Sequence, residues 1–307
     1  MELICRHITT NKIEKIFRSL GLFSMAVALT CFVSGCGFQA GNEKDDTKTQ
    51  ETIEEELSQS ADAEKEAKPV MAQLLEDAGN GIEELPDTVL WFNATYAPLT
   101  YNNGGEWRIV GGEEITEDYQ VLVQNSLRSS WSIRDRETAL ETVEQLQKEG
   151  HRKVYRECLE ELEKQDMLSM TEEEFAQALE NSGIKENLFR YVIVYALYQG
   201  GEDEEAIAAW DLCRVNQLYA DFYVCGYMSY EEAMEKSLEN SLKLQKKYDS
   251  WEELVNSYML GYQFWQSDPG FTENSPTMMR YQCYEMLNKM EDGPYSLDWN
   301  MRLKKSW

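Results

Sequence analysis

The sequence predicts an all-α protein: a multi-helix domain behind an export leader and a polar spacer. Three observations point there. Beyond Pro69, apolar residues recur at helical spacing almost throughout; Pro and Gly are scarce inside those stretches; and Ser/Thr-x-x-Glu signatures mark several helix starts. With 42% hydrophobic and 11% aromatic residues in 307, there is enough apolar surface for a real core, which excludes wholesale disorder.

The first segment, 1–35, reads as a cleaved signal. Lys12, Lys15 and Arg18 precede an uncharged apolar run over 20–33, the basic-then-hydrophobic order of a secretory leader. At about 14 residues the run is too short to cross ~30 Å of hydrocarbon comfortably. It ends in Val33-Ser34-Gly35-Cys36, which resembles the lipobox of bacterial lipoproteins, where small residues precede a cysteine that takes the lipid. Cys36 is therefore the expected lipid attachment site. Residues 36–68 are dominated by Glu, Asp, Lys, Thr, Gln and Ser and bury too little apolar surface to offset their ordering entropy, so they read as a flexible acidic linker rather than a short helix near 51–58.

From Pro69 the helical domain is expected to run over 69–307. The one extended piece expected is 107–110, just before Gly111-Gly112. Ile133, Leu140, Val143 and Leu146 share a helical face, and Gly150 is expected to stop that helix. Thr171 with Glu174 forms a capping box, and Ser229 with Glu232 and Ser250 with Glu253 repeat the pattern, starting helices near 230–247 and 251–265. The apolar run 188–198 (LFRYVIVYALY) is a buried helix or strand; its place among helices and the Arg190 interruption favour helix, with Asn187 available as cap. A last helix is expected to begin at Pro276, in the first helical position.

Charge narrows the function classes. Lys and Arg number 29 against 56 Asp and Glu, a net charge of −27; losing the leader's four basic and two acidic residues takes it to −29. Such a surface repels nucleic acid. His151 would be the one histidine left, so a histidine-based metal site or a Ser/His/Asp triad has almost nothing to draw on. Phosphate-loop, nucleophile-elbow and HExxH patterns are absent from the sequence, and no cofactor is expected. Cys158, Cys213, Cys225 and Cys283 lack zinc spacing and are either buried thiols or one or two disulfides. Acidic runs such as 172–174 and 203–205 read as solvated helix starts, not a calcium loop.

What stands out is a series of local patterns: Ser130-Trp131-Ser132-Ile133, then Glu149-Gly150-His151-Arg152, Trp210-Asp211 with Arg214, Gly226-Tyr227-Met228 with Glu232-Ala233, Ser250-Trp251 with Glu253, and Ser257-Tyr258 with Gly261 and Phe264-Trp265. In this order they resemble the bacterial family described as domain of unknown function 1266, over about 86–307, with Gly293-Pro294-Tyr295 and Trp299 at the end. The resemblance implies an all-helical domain and no established activity.

Asp211 and Arg214 are neighbours on one helix face beside Trp210. They form either a partly buried ion pair pinning the helix against Trp251 or Trp265, or a polar group in a ligand cleft lined by Arg152, Trp210, Arg214, Trp251, Tyr258 and Trp265. His151 either interacts with a helix C-terminus or acts as an acid/base in that cleft. Tyr258 and Trp265 share a helix face and read first as core. Two functions follow: a membrane-anchored extracytoplasmic lipoprotein that binds an envelope protein or small molecule, or an envelope enzyme using His151 with Asp211 and Glu252. No catalytic residue is assigned outright.

Overall fold

The stretch Ala208–Val224 (AAWDLCRVNQLYADFYV) is apolar on nearly every side, the pattern of a helix with neighbours all round. It becomes the axis of the fold. The computed structural model describes residues 85–307 except Lys185, Phe271 and Glu273, and in these residues ten α-helices follow one another. They are α1 Asp87–Asn102, α2 Glu117–Trp131, α3 Arg136–Lys148, α4 Gly150–Lys164, α5 Glu172–Asn181, α6 Leu188–Gly200, α7 Ala208–Val224, α8 Tyr230–Lys247, α9 Trp251–Gln266 and α10 Pro276–Lys289, with 3-10 turns at Met167–Ser169, Glu204–Ile207 and Pro294–Ser296. The described residues contain no strand. The leader, Cys36, the linker and the Pro69 boundary lie outside the described residues.

Helices α1, α3, α8 and α9 surround α7 and form the larger core with it, in which Trp91, Phe92, Trp210 and Phe222 are almost wholly buried. A second core lies between α4, α5 and α6, and is joined to the first through Leu260 and Phe264 of α9. One polar chain crosses the larger core: Asn216 of α7 donates to Thr95 of α1 at 3.1 Å and Ser241 of α8 at 3.0 Å, while Asn240 donates to Asn216 at 2.9 Å. Paired in this way, the buried amides avoid the cost of unsatisfied donors.

The helix starts follow local chemistry. Thr171 accepts from the Glu174 amide while Glu174 accepts from the Thr171 amide, a complete capping box. Ser229 and Ser250 accept from the N3 amides, but their boxes are one-sided: Glu232 turns to Arg136, and Glu253 takes the Asp249 amide. The run 188–198 is helical within α6. Asn187 occupies the cap position in a left-handed conformation (φ 54°) without a side-chain cap bond.

Two expectations are corrected. Residues 107–110 form turns, with Ile109 donating to the Glu106 carbonyl and Gly112 to the Ile109 carbonyl. Four residues hemmed by glycines have no strand to pair with, and Trp107 is buried beside Ala97 and Leu287. Ile133 is core but not helical: Ser132 closes α2 in a left-handed conformation, and Asp135 opens α3 by exchanging hydrogen bonds with Thr138. Gly150 follows the end of α3 but also begins α4, so the two helices meet at a corner. The four thiols of the described residues are unpaired, and only Cys283 is not fully buried.

Candidate functional site

The corner at Gly150 is where the separate sequence patterns meet. The first amides of α4 have no partner within the helix. They are met by a carboxylate from the middle of the chain: the His151 amide donates to both oxygens of Asp211 at 3.0 Å, and the Arg152 amide reaches the second at 3.4 Å. Asp211, on α7, thus caps a helix that begins 61 positions earlier in the chain. Gly150 makes the approach feasible. Its φ is +51°, and a Cβ there would fall 2.2 Å from the Asp211 carboxyl, so any side chain displaces the cap.

Both arginines of the pattern converge on the same carboxylate. Arg214 donates to Asp211 Oδ1 at 2.8 Å and, through Nε, to the Trp210 carbonyl at 2.9 Å. Its guanidinium lies 4.0 Å from the centre of the Trp210 ring and 5.2 Å from that of Trp131. Arg152 donates through Nε to Asp211 Oδ2 at 3.3 Å, and through Nη2 to the Leu146 and Gln147 carbonyls at 3.1 and 2.8 Å. One side chain therefore closes the C-terminus of α3 and braces the cap of α4. Arg152 also pairs with Glu205, which pairs in turn with Lys247 at 2.7 Å.

The tautomer of His151 follows from its partner. Arg214 Nη2 lies 2.9 Å from His151 Nδ1, and a guanidinium has only donors, so Nδ1 accepts and the ring proton sits on Nε2. The 3.5 Å approach of Nδ1 to Asp211 Oδ1 is then a near contact rather than an ion pair. Burial is the main force that lowers the imidazole pKa; the Arg214 charge adds to it, and the carboxylate of Asp211 opposes it without prevailing. For Asp211, burial alone would raise the pKa, but the hydrogen bonds from His151 and the charge of Arg214 hold it below the ordinary carboxylate range. A wholly buried, ionised carboxylate accepting from two amides and two guanidinia is a poor base and a good clamp.

The aromatic residues divide into two groups. The Trp210 ring packs against Tyr258, Tyr262 and Trp265, with centroids 5.4, 5.4 and 5.5 Å away. Gly261 permits this crossing of α7 and α9, since a Cβ there would lie 2.2 Å from Trp210 Cβ. The expected anchorage against Trp265 is therefore present. Anchorage against Trp251 is corrected: Trp251 packs with Trp91 and Trp299, 4.8 and 4.9 Å away, and donates to the Leu297 carbonyl. Glu252 is likewise apart from the cluster, exposed in the first turn of α9 and near enough to Tyr284 to help raise its phenol pKa. The expectation of His151 at a helix C-terminus is also corrected: it stands in the first turn of α4, and Arg152 meets the C-terminal carbonyls of α3. The group is closed rather than an open cleft, with Asp211 0%, Arg214 2%, Arg152 8% and His151 9% exposed.

Sequence reasoning gave no structural role to three participants. Ser257 accepts from the Ala209 amide and donates to the Ala206 carbonyl, tying α9 to the start of α7. Arg190 closes α9 by donating to the Phe264 and Trp265 carbonyls at 2.9 and 2.7 Å. Arg280 donates to Tyr258 Oη at 2.9 Å beneath the Tyr262 ring. Arg190 carried a signal, because an arginine interrupting an apolar run must find acceptors.

A family model described as Protein of unknown function (DUF1266) matches residues 126–299. The match spans the patterns from Ser130 to Trp299 and begins after α1, which nonetheless packs on α7. No curated protein and no solved structure matches the chain.

Proposed function

The chain belongs to the DUF1266 family of proteins of unknown function, and we propose that it acts as a lipid-anchored binding module on the outer side of a bacterial membrane. The anchoring half is supported by the order of basic residues, apolar run and Cys36. The binding half is supported by one observation above others: Asp211, the carboxylate nearest the lone histidine of 36–307, is saturated by the amides and arginines that hold α4 to α7. Of the residues that looked catalytic, His151 and Asp211 are engaged in assembling the fold. With its excess of acidic groups, the module suits a neutral or cationic partner, an envelope protein or a small molecule, and no nucleic acid.

Metabolic labelling with a clickable palmitate tests the anchor. The wild-type chain is expected to label and fractionate with membranes, and Cys36→Ala is expected to do neither; label persisting in the variant overturns the assignment. For the binding half, His151→Ala and Asp211→Ala are compared for thermal stability and for turnover in a general hydrolase screen. Loss of a turnover at unchanged stability would sink the non-catalytic reading.

A further inference from the structure

The buried cluster leaves a second acid of α7 unused. Asp221 is half-buried near the helix end and borders a cavity of about 140 Å³ enclosed by α1, the 103–113 loop, α2 and α7. It accepts one hydrogen bond, from Gln217 Nε2 at 3.2 Å, and among the described residues it takes part in no ion pair. The two tyrosines on the cavity wall have committed their protons elsewhere: Tyr96 donates to Asn93 Oδ1 at 2.6 Å and Tyr119 to the Gly111 carbonyl at 2.5 Å. The carboxylate therefore borders a void that Tyr96, Tyr119 and Glu113 also line, with no cation among the described residues to compensate it. An ionised carboxyl so placed either takes up a proton or attracts a cation.

We propose that this cavity binds a small organic cation, an ammonium group on a short chain, with Asp221 as counter-ion and the rings of Tyr96 and Tyr119 as its walls. The wall chemistry selects the class. A hard cation such as calcium takes six to eight oxygens and generally several carboxylates, whereas the faces of tyrosine rings attract ammonium groups through their quadrupole. The volume agrees, since it exceeds what a bare ion needs and suits a ligand of a few heavy atoms. The proposal gives the binding module a ligand class and rests on that reading for its biological role. Binding is read on the purified chain and lipid attachment in cells, so either can fail without the other.

Binding should follow the charge of Asp221. Burial pushes its carboxyl up to about 7, against which the Gln217 hydrogen bond is a smaller, opposing effect. The titratable groups around it are Tyr96 from α1, Glu113 on the loop, Tyr119 from α2 and Cys225 just beyond α7. The thiol is pushed up to about 12 and both phenols higher still, so none of these three changes charge near neutrality.

Calorimetric titration of the full chain with ethanolamine and with choline tests the proposal. At least one is expected to bind roughly tenfold or more tightly at about pH 8 than at about pH 5.5. Asp221→Asn, which keeps the shape and removes the charge, is expected to lose that binding, and Thr171→Ala, at the start of α5 and outside the cavity lining, is expected to retain it. Should the Asn variant fail to fold, the pH ratio of the wild type decides. Absence of binding for both probes, binding unchanged in Asp221→Asn, a flat pH profile, or equal competition by sodium or calcium would overturn the assignment.

Discussion

Asp211 and Asp221 lie on the same helix, α7, and their surroundings drive them in opposite directions. Asp211 is entirely enclosed, yet remains ionised because two amides and two guanidinia converge on it. Asp221 keeps some exposure to its cavity, yet burial pushes its pKa up to about 7, because among the described residues only the Gln217 amide donates to the carboxylate in opposition. Depth alone does not set the state of a buried acid; the donors that follow it inward do. The first aspartate has become part of the framework, and the second retains capacity for a partner.

Breaking the saturated site should produce the largest effect. Asp211→Ala leaves the α4 amides uncapped and two buried guanidinia without their carboxylate, so a loss of about 3–5 kcal/mol is expected in chemical denaturation. A loss under about 1 kcal/mol would mean that the cluster does not hold the corner. Gly150→Ala should follow at about 2–3 kcal/mol, because it strains a positive φ and drives a methyl into the carboxylate. Equal stability in that variant would show that the corner can open without the cap.

Acidity sharpens the contrast between the two acids. The folded-state pKa of Asp211 is depressed, so its contribution is present above the unfolded value of 3.8 and is lost as pH falls through the folded one. His151 acts in the same direction, because its folded pKa lies below 6.5 and protonation on acidification favours the unfolded chain. Asp221 has the opposite sign. Its folded pKa is raised, so the unliganded chain loses stability as pH climbs from 3.8 through about 7. Asp221→Asn should therefore stabilise the unliganded protein by about 1 kcal/mol at mildly alkaline pH and change little in acid. Denaturation midpoints of wild type and variant across the range check this; a variant less stable than wild type at high pH would contradict it.

The smallest effects belong to the local devices far from either acid. Thr171→Ala should cost about 1 kcal/mol by removing the cap of α5. Glu232→Ala, which breaks an exposed pair with Arg136, should cost less still and lose its effect at high salt. Melting curves at two ionic strengths separate these two contributions.

The features legible in the sequence are those whose partners lie within a turn of helix. Thr171 and Glu174, Ser229, Ser250 and Pro276 announce helix starts because their hydrogen bonds or φ constraints close over a few residues. The 188–198 run could be read as helix from its setting, but Ile133 and 107–110 were misplaced. An apolar residue is buried equally well from a loop or a helix, and the signals that ended those elements, Ser132 in a left-handed turn and the cap at Asp135, compete with periodicity. Trp251 was misassigned for a similar reason: an aromatic residue shows that it will be buried, not against which ring.

By itself, then, the sequence determined the helical class, most helix starts, the acidic character and the residues carrying the family pattern. Only the tertiary structure decided what those residues do. Asp211 and His151 meet across 60 positions, Gly261 matters because α9 crosses Trp210, and the void beside Asp221 exists because α1, α2 and a loop close around it. Caps and periodicity are local interactions written along the chain. The compensation of a buried charge depends on every group that packing brings to it, and that sum is formed only once the helices are in place.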